Sequence, residues 1–418
     1  MKSTNAVLSA AHPTPPTSAH ETSQSTRYRW VILVVAFAAW VISFLDRLAW
    51  SNVGLDVSKD LGSPLSQLGI FVTAFYCGYV VSNFFMGFVT DRIGARATLT
   101  FALIPLGVAT FLFGNVTTVF AGLVLQCAMG LAAGADYAAC IKLLASWFDT
   151  NRRGLALGIL TTGPSVGIAV SNAVYPWFLS THAWHDLYYL LGGITVFIGI
   201  ACFLFLRNAP EGSAAPSKSQ KPSVRALLKN RDLRLLALAG FGANWATWGF
   251  AFWSNALMIK GHHMSVADAG RISMLFGIGA VCAKPLVGWI TDRMGGKRRP
   301  AIIISLAAFA ILFLVFGQLN GKTAFLLIAP FLGAAAFVYA PLMAAMAAEL
   351  VGPAATGSAV GAMNAFWQLG SVIAPTVAGL VFARTNSFIA TLATLAVGPA
   401  IGAICMMRAR EATDSVKV

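Results

Sequence analysis

The sequence predicts an all-α membrane protein with twelve transmembrane helices in two pseudo-symmetric six-helix bundles. Three observations carry this reading. The 418-residue chain is 57% hydrophobic and only 11% charged, less than half the charge of an ordinary soluble protein. It contains twelve apolar runs of about the 20 residues that cross a bilayer as a helix. Two short motifs in its first half return in its second half about 200 residues later.

The runs lie near 30–50, 66–90, 97–115, 117–146, 154–179 and 186–206, then 235–259, 268–290, 300–318, 322–350, 357–382 and 387–407. They read as helices because unpaired backbone groups in lipid cost several kcal/mol each, and they lack the alternation of barrel strands. Residues 1–28 are polar and rich in Ser, Thr and Pro, and read as a disordered tail. A six-helix bundle is expected over 29–206 and a second over 235–408. Between them lies a basic linker, 207–234, with a short surface helix near Val224–Lys229, and 409–418 form a second tail.

The net charge of +14 does not indicate nucleic acid, because the basic residues cluster in short loops between apolar runs. With the N-terminus inside, 21 Lys and Arg fall on the inner side. Five (Lys59, Lys260, Arg271, Lys322 and Arg384) fall outside, and Arg47, Lys142 and Lys284 lie within spans. This positive-inside bias places both termini in the cytoplasm, and a bacterial inner membrane is the expected location. The six cysteines all lie inside apolar runs and read as small apolar helix residues.

Thr90-Asp91-Arg92-Ile93-Gly94 recurs as Thr291-Asp292-Arg293-Met294-Gly295, and Gly87 pairs with Gly288 at the same offset of 201. Gly154-Leu-Ala-Leu-Gly158 returns as Gly357-Ser-Ala-Val-Gly361, offset by 203. The halves therefore read as repeats of one unit, an arrangement found in transporters with a central site. Gly87-x-x-x-Asp91-Arg92-x-Gly94-x-Arg96 after the second span resembles the loop motif of the major facilitator superfamily. That resemblance implies the major facilitator fold and a gating role for Gly87, Asp91, Arg92, Arg96, Gly288, Asp292 and Arg293. Asp91 is expected to pair with Arg92 or Arg96, or to face a helix N-terminus.

Phe44-Leu-Asp46-Arg47, which the span boundaries place at the outer end of the first helix, resembles the anion–cation symporter group of that superfamily. Phe75-Tyr76-x-x-Tyr79 is compatible with it. The resemblance implies import of an organic acid anion. The Arg and carboxylate that this group often carries around the helix-4 glycine are Gln126 and Ala133 here, on either side of Gly130, with Asp136 one turn further on.

Charges within a bilayer cost about 2.5–3.5 kcal/mol each on insertion scales, so each requires a reason. Lys284, about 12 Å from the inner helix end at 1.5 Å per residue, suits an anionic substrate; its alternative is a side chain snorkelling to the inner surface. Arg47 has the planar fork that engages a carboxylate, and Asp46 then pairs with it or carries a proton. The alternative is a structural ion pair. Asp136 is the second candidate proton carrier, and Lys142 reads as structural. Asn364, Trp367, Gln368 and Ser371 form one helical stripe, either cavity-lining or bonded between helices. Asn244, Trp248 and Tyr79 complete the expected substrate site, with Trp245 and Asn255 near by. The aromatic residues of spans 2 and 7 favour a substrate with some apolar surface.

No Walker loop, dinucleotide fingerprint, nucleophile elbow or Cys/His metal spacing occurs, so no enzyme, cofactor or metal is expected. His262-His263 is an outer-loop pair without partners in sequence. The expectation is a monomeric secondary transporter, importing a small organic acid with protons by alternating access. The competing expectations are a proton-coupled exporter of drugs or metabolites, suggested by Gly163-Pro164-x-x-Gly167 in span 5, and a receptor that binds without translocating.

Overall fold

The structure is a computed structural model that describes residues 19–64, 67–148, 150–209, 230–293, 298–351 and 356–410. The described residues form fourteen helices. In the first half these are α1 (Ala19–Asp60), α2 (Leu68–Ile93), α3 (Ala95–Phe113), α4 (Val119–Ala133), α5 (Asp136–Trp147), α6 (Thr150–Thr161), α7 (Gly163–Leu179) and α8 (Trp184–Phe205). The second half contains α9 (Arg231–His262), α10 (Val266–Arg293), α11 (Arg299–Gln318), α12 (Lys322–Val351), α13 (Thr356–Thr385) and α14 (Phe388–Arg408). Eleven helical segments, α4–α5 and α6–α7 each counting as one, are long and apolar enough to cross a membrane. Leu68–Asn83 of α2 is a shorter apolar stretch.

Three spans differ from the sequence expectation. Helix α1 runs to Asp60 rather than ending near residue 50, and it begins at Ala19, inside the expected tail. Ser51, Asn52 and Ser58, which read as the end of a span, are buried and satisfied by hydrogen bonds within the protein. Asp46 and Arg47 are therefore mid-helix, with Arg47 about 20 Å from the Asp60 end at 1.5 Å per residue. Spans four and five are each broken, at Gly134-Ala135 and at Thr162. In the second break Pro164 has no N–H to give the preceding turn, and the Ser165 amide bonds to the Thr162 carbonyl. The expected disorder of 1–18, the linker helix near Val224–Lys229 and the tail from 411 lie outside the described residues.

The repeat seen in the sequence is present in the packing. A Cβ on Gly130 of α4 would stand 1.8 Å from the Phe75 carbonyl oxygen of α2. On Gly333 of α12 it would stand 1.8 Å from that of Phe276 on α10. The second pair is the first displaced by about 200 residues, and both mark backbones that touch because no side chain intervenes. Arg96 donates through Nε to the Phe203 carbonyl at 2.8 Å, and Arg299 donates likewise to that of Met406 at 3.0 Å. In each half an arginine ties the start of the third span to the end of the sixth.

Each half is sealed by its own helix contacts, and the halves meet through α2 with α13, α7 with α10, and α1 with α9. Both described chain ends lie at one end of the bundle, where Arg410 N–H donates to Asp232 and the Tyr28 hydroxyl to Phe205 O. At the opposite, far end the halves are pressed together. A Cβ on Gly69 would lie 2.4 Å from Pro375 O, and one on Gly270 2.6 Å from Pro176. Thr73 donates to Val372 O at 2.7 Å.

Candidate functional site

At the seam between the halves, Arg47 sits in a chamber, a close-packed cage of aromatic side chains. Residues 46 and 47 point about 100° apart on α1, and this separates their environments. Arg47 turns toward α2, with its guanidinium carbon 4.3 Å from the ring centres of Phe44 and Tyr79, 4.9 Å from Phe75 and 5.6 Å from Tyr76. It is 3% exposed, and none of its three guanidinium nitrogens has a hydrogen-bond acceptor of good geometry. The Tyr76 and Tyr79 hydroxyls are the polar groups beside it. Ring faces attract a desolvated cation by about 2 kcal/mol or more, which holds the guanidinium in place without using its donors.

Asp46 turns the other way. Its Oδ2 accepts from Thr195 of α8 at 2.8 Å, and its Oδ1 is buried without a partner. The expected Asp46–Arg47 pair is therefore not formed. The carboxylate whose charge reaches Arg47 is Asp136, at the first turn of α5, where the α4–α5 break places a helix N-terminus. Asp136 accepts from Ser43 Oγ at 2.6 Å and from the Tyr137 amide at 2.6 Å.

Trp248 of α9 closes the chamber from the second half. Its ring stacks on Phe44 with centroids 5.7 Å apart, and Phe252 and Phe337 stand 5.9 and 6.1 Å away. Asn244 accepts from its indole N–H at 3.0 Å, which orients the ring. A narrow cleft beside Arg47 is bounded by Trp50, Val72, Phe75, Gln126 and Phe252. Of these neighbours, Phe44, Phe75, Phe252 and Phe337 were not among the candidates, because aromatic identity alone does not separate a chamber wall from core packing.

Lys284 of α10 reaches across the seam. Its ammonium donates to Thr161 O and to Ser165 Oγ, both at 2.9 Å, and lies 4.9 Å from the Phe337 ring centre. The Thr161 carbonyl is available because the break at Thr162 turns the Ser165 amide elsewhere. The lysine therefore binds the first half of the protein and does not snorkel to a surface.

The stripe on α13 splits. Trp367 packs against Gly240 within its own half, whereas Ser371 donates to Gln368 at 3.2 Å and lies beside Tyr76 across the seam. Asn364, one turn before Gln368, is half-buried. Toward the far end three amides from α1, α7 and α9 meet: Asn255 donates to Asn52 at 3.0 Å and to Asn172 at 2.8 Å, and accepts from Ser273 at 2.7 Å. Three distant segments give no local signal for such a cluster.

Among the motif residues, Gly94 has φ +87° and a Cβ there would collide with Asn208, so the turn from α2 to α3 requires glycine. Arg96 is engaged with α8 as described above. Arg92 and Arg293 are exposed at helix ends. Gly87, Asp91, Gly288 and Asp292 are helical, and the side chains of Asp91 and Asp292 lie outside the described residues. Lys142 donates to Thr90 O at the end of α2 at 2.7 Å. The His262 ring packs edge-on against Phe325 and Phe388, and no metal-binding cluster occurs among the described residues.

Comparison with known proteins agrees with this architecture. The hexuronate transporter of Bacillus subtilis (strain 168) is 24% identical over 382 residues, covering 85% of this chain and 89% of its own. The D-galactonate transporter of Escherichia coli O6:H1 is 23% identical over 311 residues, covering 67% of this chain and 72% of its own. A crystal structure of a bacterial homolog of the human lysosomal transporter Spinster, inward-facing and unoccupied, superposes with a TM-score of 0.75 at 14% identity, over 91% of this chain and 97% of that one. The profile of the Major Facilitator Superfamily matches residues 35–375 and 256–417, and this multi-pass membrane protein belongs to that superfamily.

Proposed function

We propose that the protein imports a small organic anion, a carboxylate, together with protons by alternating access, as a monomer in a bacterial inner membrane with both termini cytoplasmic. The observation that carries this reading is Arg47, a buried permanent cation that makes no hydrogen bond of good geometry among the described residues and has only the Tyr76 and Tyr79 hydroxyls as polar neighbours. An uncompensated buried charge is costly, and a carboxylate seated against a guanidinium makes two charge-assisted hydrogen bonds. The names of the relatives, which carry hexuronate and galactonate, support a carboxylate cargo.

Asp136 supplies the coupling. While ionised, it competes with a substrate anion for the field of Arg47. Once protonated, it releases the guanidinium to the substrate, so proton and anion bind together. Entry of an anion against a negative interior costs about 2.3 kcal/mol per charge per 100 mV, and one co-transported proton per charge removes that opposition. Asp46, held by Thr195 away from the chamber, is the weaker candidate for this step. Lys284, bridging α10 to the α6–α7 break, is a contact that must loosen when the halves rock.

Uptake of radiolabelled D-glucuronate and benzoate into proteoliposomes, driven by an imposed pH gradient, tests the reading. Accumulation of at least one of them above equilibrium in wild type, lost in Asp136→Asn with exchange retained, is expected. Accumulation of neither acid, or the same accumulation in Asp136→Asn, would refute the proton-coupled import of carboxylates proposed here. The α6–α7 break at Gly163-Pro164 favours a second reading, proton-coupled export, which predicts efflux of an uncharged amphiphile unaffected by Arg47→Gln.

A further inference from the structure

We infer that the chamber selects an aromatic monocarboxylate, a flat ring bearing one carboxylate, over a polyhydroxylated sugar acid. This inference rests on the carboxylate reading above and narrows it. The chamber offers one charged corner, made of the Arg47 donors and the Tyr76 hydroxyl, which is buried without a hydrogen-bond partner. Most of the remaining wall is ring, with Val72 and Gln126 beside it. Phe44 and Trp248 lie nearly parallel at 25°, and Phe75 and Tyr79 at 17° with centroids 6.2 Å apart. Tyr76 meets Phe252 edge-on at 5.8 Å. Aromatic faces and edges of this kind are the partners a further ring prefers.

Of the polar side chains that could recognise sugar hydroxyls, several already spend a donor or an acceptor on the protein. Asn244 holds the Trp248 indole, and Gln368 holds Ser371. Asn52 and Asn255 hold each other toward the far end, and Asp136 holds Ser43. A hydroxyl buried here without a partner loses its water hydrogen bonds and gains nothing, which weakens binding by roughly five- to a hundredfold per group. An aromatic acid has no such groups to bury. Phe44 and Trp248 come from opposite halves and stack on each other at 5.7 Å, so a ligand ring that takes the place of either partner must part the two bundles at the point where they move.

The test is a thermal-shift titration of the purified full-length protein in detergent with benzoate, cyclohexanecarboxylate and D-glucuronate, since a ligand stabilises by RT ln(1 + [L]/Kd). Benzoate is expected to bind at least tenfold more tightly than D-glucuronate and at least threefold more tightly than cyclohexanecarboxylate. Trp248→Leu is expected to erase the preference of benzoate over cyclohexanecarboxylate, and Trp248→Phe to keep it. D-glucuronate binding as tightly as benzoate would overturn the inference while leaving the carboxylate reading intact. Equal binding of benzoate and cyclohexanecarboxylate would overturn the aromatic choice alone. No stabilisation by any of the three, in protein that elutes as a single folded species, would overturn both readings.

Discussion

Arg47, buried, and Lys284, half-buried, are both basic side chains at the seam between the halves, and their surroundings differ in kind. Arg47 is enclosed by four aromatic rings and makes no hydrogen bond of good geometry. Lys284 makes two, to a carbonyl and a hydroxyl of the opposite half. A cation whose donors are unused is prepared for a ligand, and a cation whose donors are spent on the protein holds the protein together. Rings can do the first because they stabilise charge without occupying N–H groups. A broken helix can do the second because it exposes a carbonyl. The sequence shows both residues as intramembrane charges and assigns both to substrate; their differing neighbours support the separate roles proposed for them.

The largest expected effect follows from this contrast. Arg47→Gln removes the fork but keeps much of the volume, and with two charge-assisted bonds at about 1.5–3 kcal/mol each, carboxylate affinity should fall by at least ~100-fold in a titration of purified protein. Retained affinity would end the distinction between the two cations. Asp136→Asn comes next. Anion binding to wild type should strengthen as the pH falls through the titration of Asp136, because protonation removes the charge that competes for Arg47. In the Asn variant, affinity should stay at its low-pH value across the range, and a persisting pH dependence would assign the proton elsewhere, with Asp46→Asn as the next variant.

Lys284→Met should act on conformation more than on affinity. Losing two bonds across the seam shifts the balance between states by about 1–3 kcal/mol, read as increased labelling of a far-end cysteine such as Ser51→Cys, in a background free of other reactive thiols, by an impermeant reagent. A loss of affinity as large as that of Arg47→Gln would place Lys284 in the binding site after all. The smallest effect is expected at Asn255→Ala. It removes the amide that joins Asn52 to Asn172 and should raise far-end labelling modestly and lower thermal stability by about 1–3 kcal/mol. Unchanged labelling would mean that the far end is held by the α2–α13 and α7–α10 contacts instead.

Much of this was legible in the sequence because lipid imposes a simple code. Apolar runs mark the spans, and the motif repeated at 201 residues announces a duplication that the Gly130–Phe75 and Gly333–Phe276 contacts display. The reach of α1 to Asp60 was hidden because Ser51, Asn52 and Ser58 look like a water-facing end, although protein rather than water satisfies them. Arg47, Tyr79 and Trp248 were recognisable as charge or paired aromatics within spans. The direction each residue takes around its helix was not, and this separates Asp46 from Arg47, and Trp367 from Gln368. The amide cluster of Asn52, Asn172 and Asn255 joins three helices far apart in sequence, which periodicity within one helix does not reveal.

The central claim is that Arg47 is the residue that grips the anion and Lys284 is not. Counterflow of radiolabelled benzoate and D-glucuronate into preloaded proteoliposomes, measured side by side for wild type, Arg47→Gln and Lys284→Gln, tests it without any driving gradient. The account predicts no counterflow of either acid in Arg47→Gln, and continued counterflow with an altered rate in Lys284→Gln. Wild-type counterflow in Arg47→Gln, or its loss only in Lys284→Gln, would contradict it.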